Sequence, residues 1–132
     1  MIYMLDTNIC IYTIRGKYAH IADKIRSFSP GNIKVSAITL SELMYGCCKS
    51  NFPDKNANAV RGFLSPFEII NFDARDAVIF GSIRAELETR GRVIGPYDMQ
   101  LAAQAVNRNY TLITNNIREF KRIDTLKTDN WL

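Results

Sequence analysis

The chain has 132 residues, of which 47% are hydrophobic and 23% charged, a composition typical of one folded domain with one hydrophobic core. No apolar run approaches the roughly 18 residues of a membrane-spanning helix, and the amino terminus lacks the pattern of a secretory signal. We therefore expect a cytoplasmic protein with no membrane partner. The net charge of +4 is compatible with an anionic partner but does not identify one.

The chain has three cysteines, an odd number with no Cys-x-x-Cys spacing: Cys10, Cys47 and Cys48. This pattern argues against both a disulfide framework and a zinc ribbon. We expect the three thiols to be small buried side chains in a reducing compartment.

Short apolar runs alternate with longer segments of helical periodicity along the chain. The predicted strands are Ile2–Leu5, Ile33–Ser36, Phe67–Ile70 and Tyr110–Thr114, and the tail Thr125–Leu132 is a candidate last strand that packs Trp131. The predicted helices are Asn8–Ile14, Tyr18–Phe28, Thr39–Ser50, Asp54–Leu64, Ala74–Arg90, Pro96–Asn107 and the short turn Ile117–Phe120.

Strands separated by helices indicate a parallel sheet with helices on both faces. We therefore predict one α/β domain over residues 1–132, with a parallel central sheet of four to five strands. The first strand should be central because it is apolar throughout.

Three acidic residues lie at comparable places, after a strand or in the first turn of a helix: Asp6, Glu42 and Asp98. The carboxyl ends of parallel strands share one edge of a sheet, so these side chains can meet in one cleft. Each also has a structural explanation. Asp6 can cap the next helix, Thr39-x-x-Glu42 matches a capping box, and Asp98 can complement a helix dipole.

Three converging carboxylates repel one another, and their pKa values rise unless a cation lies among them. Oxygen ligands favour Mg²⁺ or Mn²⁺ over zinc, and such a site can activate water and stabilise charge on a phosphodiester. The lone histidine, His20, lies in a predicted helix away from these strand ends. This composition excludes a histidine-pair ribonuclease mechanism, and nucleophilic serine chemistry lacks its base.

The fourth strand ends in Thr114-Asn115-Asn116 and should reach the same edge. Asn116 can cap the following turn, with Glu119 at capping-box spacing, or it can present its amide oxygen to a metal-bound water.

Basic residues are concentrated in two segments, each interrupted by acids. These clusters fit either a solvated, salt-bridged helix face or a phosphate-binding rim. The first contains Arg84, Arg90 and Arg92, and the second contains Arg118, Lys121, Arg122 and Lys127.

Four blocks of the sequence together resemble the PIN-domain ribonucleases, most closely the VapC toxins of VapBC toxin–antitoxin modules. They cover nearly the whole chain in the family's order and spacing. The blocks are Met4–Asn8, Ile38–Leu43, Gly95–Asp98 with Ala102 and Ala103, and Leu112–Asn116 with Arg118–Phe120.

The resemblance implies a Mg²⁺-dependent endoribonuclease, with Mn²⁺ as an alternative ion, that arrests translation. The implied catalytic residues are Asp6, Glu42 and Asp98, with Asp6 and Asp98 as the principal metal ligands and Glu42 completing the site. Thr7 and Asn8 would support the first carboxylate by hydrogen bonds, and Thr114, Asn116 and Glu119 would be further supporting residues. Many relatives have a fourth acid where this chain has Asn116, so Glu119 is the candidate substitute.

The resemblance also implies a substrate and partners. The substrate would be structured RNA, commonly tRNA cut in the anticodon stem-loop, with initiator tRNA as the leading candidate. The partner would be a VapB antitoxin whose carboxyl-terminal segment lies in the cleft, and homodimers and larger toxin–antitoxin complexes are usual. We predict in-line attack by water that leaves 5′-phosphate and 3′-hydroxyl ends. Arg84, Arg90, Arg92 and Arg118 are candidates for phosphate contact.

Two other functions are compatible with parts of the sequence. A phosphotransfer receiver would need paired acids after the first strand and a lysine after a later strand, and this chain has Asp6 alone and no such lysine. A metal-binding or RNA-binding PIN module without nuclease activity would need no intact acidic set, and the three carboxylates argue against it.

Overall fold

The computed structural model describes all 132 residues. The strands are β1 (Tyr3–Leu5), β2 (Ile33–Ser36), β3 (Glu68–Ile70), β4 (Thr111–Ile113) and β5 (Lys127–Asp129). The helices are α1 (Thr7–Arg15), α2 (Ala19–Arg26), α3 (Ala37–Lys49), α4 (Pro53–Leu64), α5 (Ala74–Thr89), α6 (Pro96–Arg108) and α7 (Ile117–Phe120), and a 3-10 turn at Pro30–Asn32 precedes β2.

All strand pairs are parallel, and the five strands lie in the order β3-β2-β1-β4-β5. The predicted α/β class and the parallel sheet are therefore confirmed. β1 is central, between β2 and β4, which explains why Tyr3-Met4-Leu5 carries no charge. This order differs from the 2-1-3-4-5 order of receiver-type sheets, so the receiver interpretation is wrong.

The sheet separates two hydrophobic clusters, one on each face. Successive residues of a strand point to opposite faces, and accordingly Leu5 belongs to one cluster and Met4 to the other. The first cluster contains buried residues of α1, α2, α3 and α4, and the second contains those of α5, α6 and α7. Helices therefore cover both faces, as predicted, and none has the length and apolar composition needed to cross a bilayer.

The carboxyl-terminal tail completes the sheet and covers one end of the first cluster. β5 pairs with β4, and Trp131 is only 7% exposed. Its ring stacks on Phe28 at a centroid distance of 5.3 Å and meets the edge of Tyr3 at 5.1 Å. The prediction for the tail is thus confirmed.

The cysteines follow the prediction only in part. Cys10 and Cys47 are buried in the first cluster. Cys48 is exposed, because it follows Cys47 by one residue and a helix turns about 100° per residue away from the core.

A buried ion pair joins α5 to α6. Asp76 has no exposed surface, and it accepts hydrogen bonds from Arg108 at 2.5 Å and from Asn107 at 2.9 Å. Asp76 also accepts from the backbone N–H of Asp73, whose side chain caps α5 in return. Burial raises the pKa of Asp76, but these hydrogen bonds and the Arg108 charge outweigh it and hold the pKa below 3.8.

We predict that Asp76→Ala lowers the free energy of unfolding by about 3 kcal/mol, because it leaves Arg108 without its buried partner. The matched control is Asp23→Ala, which removes an exposed pair with Arg26 and should cost less than about 1 kcal/mol. Urea denaturation at neutral pH measures both values. Equal losses for the two variants would contradict the buried-pair interpretation.

Candidate active site

Asp6 lies where the central strand ends. Its backbone N–H donates to the carbonyl of Ile113 at 3.0 Å, which extends the β1–β4 pairing by one residue. Its side chain accepts from the N–H of Ile9 at 2.9 Å and so caps α1. The helix cap and the cleft position are therefore compatible, since the cap holds the carboxylate at the sheet edge with only 5% exposure.

Glu42 lies in the second turn of α3. The helix begins at Ala37, and the Ser36 side chain caps it by accepting from the N–H of Ile38. The predicted capping box of Thr39 and Glu42 is therefore wrong, because the helix starts two residues earlier than its sequence periodicity indicates.

The Glu42 carboxylate is held by a neighbouring helix. Oε1 accepts a hydrogen bond from the Thr7 hydroxyl at 2.8 Å, and the Thr39 hydroxyl lies 3.2 Å from that of Thr7. The expectation that Thr7 supports Asp6 is wrong, since its hydroxyl turns to Glu42 instead. The exposed Asn8 acts on Asp6 through its backbone N–H, which lowers the pKa of that carboxyl.

Asp98 is the third residue of α6, and the Pro96 at the start of that helix sets its first turn. Asp6, Glu42 and Asp98 line one cleft of about 700 Å³. The structure thus brings together three carboxylates that lie far apart along the chain. No three acidic, histidine or cysteine side chains are close enough to form a ready-made metal site.

The charges of these carboxylates act on one another. Burial raises the pKa of Asp98, and the negative charges of Asp6, Glu119 and Glu42 raise it further, to about 6. Burial also raises the pKa of Asp6. Hydrogen bonds from Thr114, Ile9 and Asn8 lower this pKa, and the Glu42 charge raises it. The cleft therefore holds excess negative charge on carboxylate oxygens, which is the donor set that a hard divalent cation fits.

Residues after β4 complete this edge. Thr114 is fully buried, and its hydroxyl accepts from the N–H of Asn116 at 2.9 Å. The Asn116 side chain makes no cap to α7, so the capping interpretation is wrong. Its Nδ2 instead donates to Oε2 of Glu119 at 3.0 Å, and the Glu119 charge reaches Asp98.

The chain matches known proteins over almost its full length. The PIN domain profile matches residues 3–126. The tRNA(fMet)-specific endonuclease VapC of Shigella flexneri is 42% identical over 98% of this chain and 97% of that protein. Ribonuclease VapC2 of Rickettsia felis is 44% identical over 99% and 98% of the two chains.

This chain belongs to the VapC family of PIN-domain ribonucleases.

Solved structures agree. The VapBC2 complex of Rickettsia felis bound to a promoter DNA fragment has a chain that superposes with a TM-score of 0.95, 43% identity and full coverage of both chains. The DNA-bound VapBC complex of Salmonella typhimurium gives 0.95 and 41% identity over 100% of this chain and 99% of that one. PIN nucleases use divalent metal ions, in keeping with the carboxylate cleft.

The four arginines predicted to contact phosphate fall into two groups. Arg84 pairs with Glu88 at 2.9 Å, and Arg90 lies 3.7 Å from Glu86 and 3.6 Å from Asp124. These pairs favour the salt-bridged interpretation for Arg84 and Arg90. Arg92 and Arg118 are exposed and form no ion pair, so their contact with RNA remains a prediction.

Sequence reasoning missed a buried connection between the two helices that carry Glu42 and Asp98. Gln104 of α6 has no exposed surface. Its Oε1 accepts from the Ser36 hydroxyl at 2.5 Å, and its Nε2 donates to the Ile70 carbonyl at 3.3 Å. Since Ser36 caps α3, this amide couples the start of α3 to α6 and β3. A glutamine within the run Leu101-Ala102-Ala103-Gln104-Ala105 is the signal that marks it.

We predict that Asp98 of metal-free protein titrates near pH 6 rather than near 3.8, because of its burial and acidic neighbours. The folded chain then holds this proton more tightly than the unfolded chain, so the group favours folding at low pH. That contribution is lost between about pH 4 and about pH 6 as the pH rises. Melting temperatures of wild type and Asp98→Asn, measured with a chelator across this range, isolate it.

The control for this titration is Asp54→Asn, an exposed acid of α4 that does not line the cleft. It should keep the wild-type dependence of melting temperature on pH. Identical curves for Asp98→Asn and wild type would show that Asp98 has no raised pKa.

Proposed function

We propose that this VapC-family chain is the toxin of a toxin–antitoxin module and a metal-dependent endoribonuclease that cuts tRNA, with the anticodon stem-loop of initiator tRNA as the first candidate target. The observation that carries the proposal is the shared cleft of Asp6, Glu42 and Asp98. The tRNA(fMet)-specific endonuclease names of the Shigella and Salmonella relatives, each 42% identical to this chain, support the choice of RNA. Cleavage of tRNA would stop translation, and it places the activity in the cytoplasm.

The ion would be Mg²⁺, with Mn²⁺ as the alternative, held by Asp6 and Asp98 with Glu42 completing the set. Glu119, oriented by Asn116, takes the place of the fourth acid that many relatives have at position 116. A divalent ion bound there supplies a Lewis acid that favours ionisation of water and neutralises charge on the phosphodiester.

The residues of the chain orient the acidic groups for this chemistry. Backbone N–H groups at the start of α1 hold Asp6, and the Thr7 hydroxyl holds Glu42. Water attacks phosphorus, the P–O3′ bond breaks, and the 3′ oxygen leaves with a proton, which yields 5′-phosphate and 3′-hydroxyl ends. The only histidine, His20, is exposed on α2 and does not line the cleft, in accord with a mechanism that needs no imidazole.

The proposed partner is a VapB antitoxin whose carboxyl-terminal segment lies in the acidic cleft and blocks it. The VapBC complexes of Rickettsia felis and Salmonella typhimurium, with chains 43% and 41% identical to this one, support this partner. We propose the homodimer and the larger complex with antitoxin as its assemblies. A PIN module that binds metal or RNA without cleaving it is the alternative, and the cleavage assay below decides between them.

We predict that Asp6→Asn and Asp98→Asn each reduce the rate of tRNA cleavage by more than about 100-fold, the upper end of losses from outer-shell changes at metal sites. Antitoxin-free protein is incubated with initiator tRNA and Mg²⁺, with Asp54→Asn as the control that should match wild type. Sequencing of the new ends should find 5′-phosphates. A wild-type rate for Asp98→Asn, or a 2′,3′-cyclic phosphate product, would refute the proposed site or mechanism.

We predict that Thr7→Val lowers kcat by about 10- to 100-fold with little change in KM, because Glu42 loses the donor that orients it. Thr7→Ser keeps the hydroxyl and should restore most of the rate. Steady-state cleavage at several Mg²⁺ concentrations measures both variants. If Thr7→Val behaves like wild type, the hydrogen bond to Glu42 has no role in the reaction.

A further inference from the structure

Two exposed aromatic side chains lie at the acidic cleft. Tyr45 is 64% exposed and Tyr97 is 58% exposed, and both line the cleft that contains Asp6, Glu42 and Asp98. Tyr45 follows Glu42 by three residues on α3, and Tyr97 directly precedes Asp98 on α6. The two rings therefore come from the same two helices that carry two of the acids.

The fold itself does not use these rings. Neither tyrosine packs against the two hydrophobic clusters, and neither side chain makes a hydrogen bond or an aromatic pair within the chain. Single exposed apolar residues are common on protein surfaces and need no explanation. Tyr45 and Tyr97, however, line the same cleft as the three acids, which indicates that both rings contact the ligand that binds there.

The charge of the site points to the kind of ligand. The cleft is acidic, so the phosphates of an RNA gain little from its walls. Unpaired bases stack on aromatic rings with an affinity that does not depend on charge, which makes such rings a common means of holding single-stranded RNA.

A cation lies over one face of the Tyr45 ring. Nζ of Lys49 lies 5.2 Å from the centroid of the Tyr45 ring and forms no ion pair with any acid of the chain. A base would therefore stack on the opposite face of the ring, and the ammonium group is suited to the phosphate of that nucleotide. Arg84 and Arg90, by contrast, are neutralised by acids of their own surface.

We propose that Tyr45 and Tyr97 each stack on an unpaired nucleobase of the substrate, on either side of the scissile phosphate, and that Lys49 binds an adjacent phosphate. This inference rests on the proposed ribonuclease function. The bound element is then an RNA loop rather than a duplex, because paired bases expose no face to the rings.

The test measures the binding of a fluorescently labelled single-stranded oligoribonucleotide by anisotropy, in an Asp98→Asn background that leaves the RNA intact. Tyr45→Ala and Tyr97→Ala should each weaken binding by about 5- to 100-fold, while Tyr45→Phe and Tyr97→Phe stay within about twofold, because Phe keeps the stacking ring. The matched control is Phe52→Ala, which removes an aromatic ring that is 66% exposed but lies outside the cleft. It should bind like the parent.

A scan with abasic nucleotides identifies the stacked bases. Removing the base that stacks on Tyr97 should weaken binding to the parent but not to Tyr97→Ala, and the same holds for Tyr45 at another position. In the cleaving wild-type background, each Ala variant should raise KM far more than it lowers kcat. Binding to a blunt RNA duplex should be the same for all variants.

Three results would overturn the stacking proposal: parent-like RNA binding by the Ala variants, equal losses of binding for the Phe and Ala variants, or equal losses on duplex RNA. A wild-type protein that binds RNA through these rings but never cleaves it would instead overturn the proposed function. The two failures are therefore distinguishable.

Discussion

The burial of the Asp6 carboxylate at the end of the central strand is the constraint on which the rest of the structure depends. β1 is covered on both faces, so a polar side chain directly after it must find its hydrogen bonds at once. Asp6 finds them in the first turn of α1 and at Thr114. These hydrogen bonds fix the start of α1 at the edge of the sheet. They also hold the Asp6 carboxylate where it lines the cleft.

Asp6, Glu42 and Glu119 lie near Asp98, and the repulsion among these carboxylates destabilises the fold. Burial and the charges of Asp6, Glu119 and Glu42 together raise the pKa of Asp98 to about 6, and burial and the Glu42 charge raise the pKa of Asp6. The structure compensates elsewhere. Gln104 couples α6, which carries Asp98, to the cap of α3, which carries Glu42, and the Asp76–Arg108 pair joins α6 to α5.

The net charge of the chain is +4, but its positive charge does not lie at the cleft. Arg84, Arg90 and Arg108 are engaged with acids of the protein, and the cleft itself is negative. Recognition of a polyanion at such a site has to rely on a counter-ion, on a few free cations at the rim and on contacts that do not depend on charge. The exposed tyrosines beside the acids are of this last kind.

Local sequence determined where the strands lie and that β1 is central, because an apolar run followed by a capping residue marks the end of a buried strand. It also determined that the three acids lie at one edge of the sheet, because parallel strands bring their carboxyl ends to the same edge. It did not determine the partners of those acids. The Thr7–Glu42 bond joins residues 35 apart, and the Ser36–Gln104 bond joins residues 68 apart. Thr39 and Glu42 have the spacing of a capping box, but Ser36 starts the helix earlier. Such choices depend on which side chains the packed helices bring within hydrogen-bond distance, and only the tertiary structure decides that.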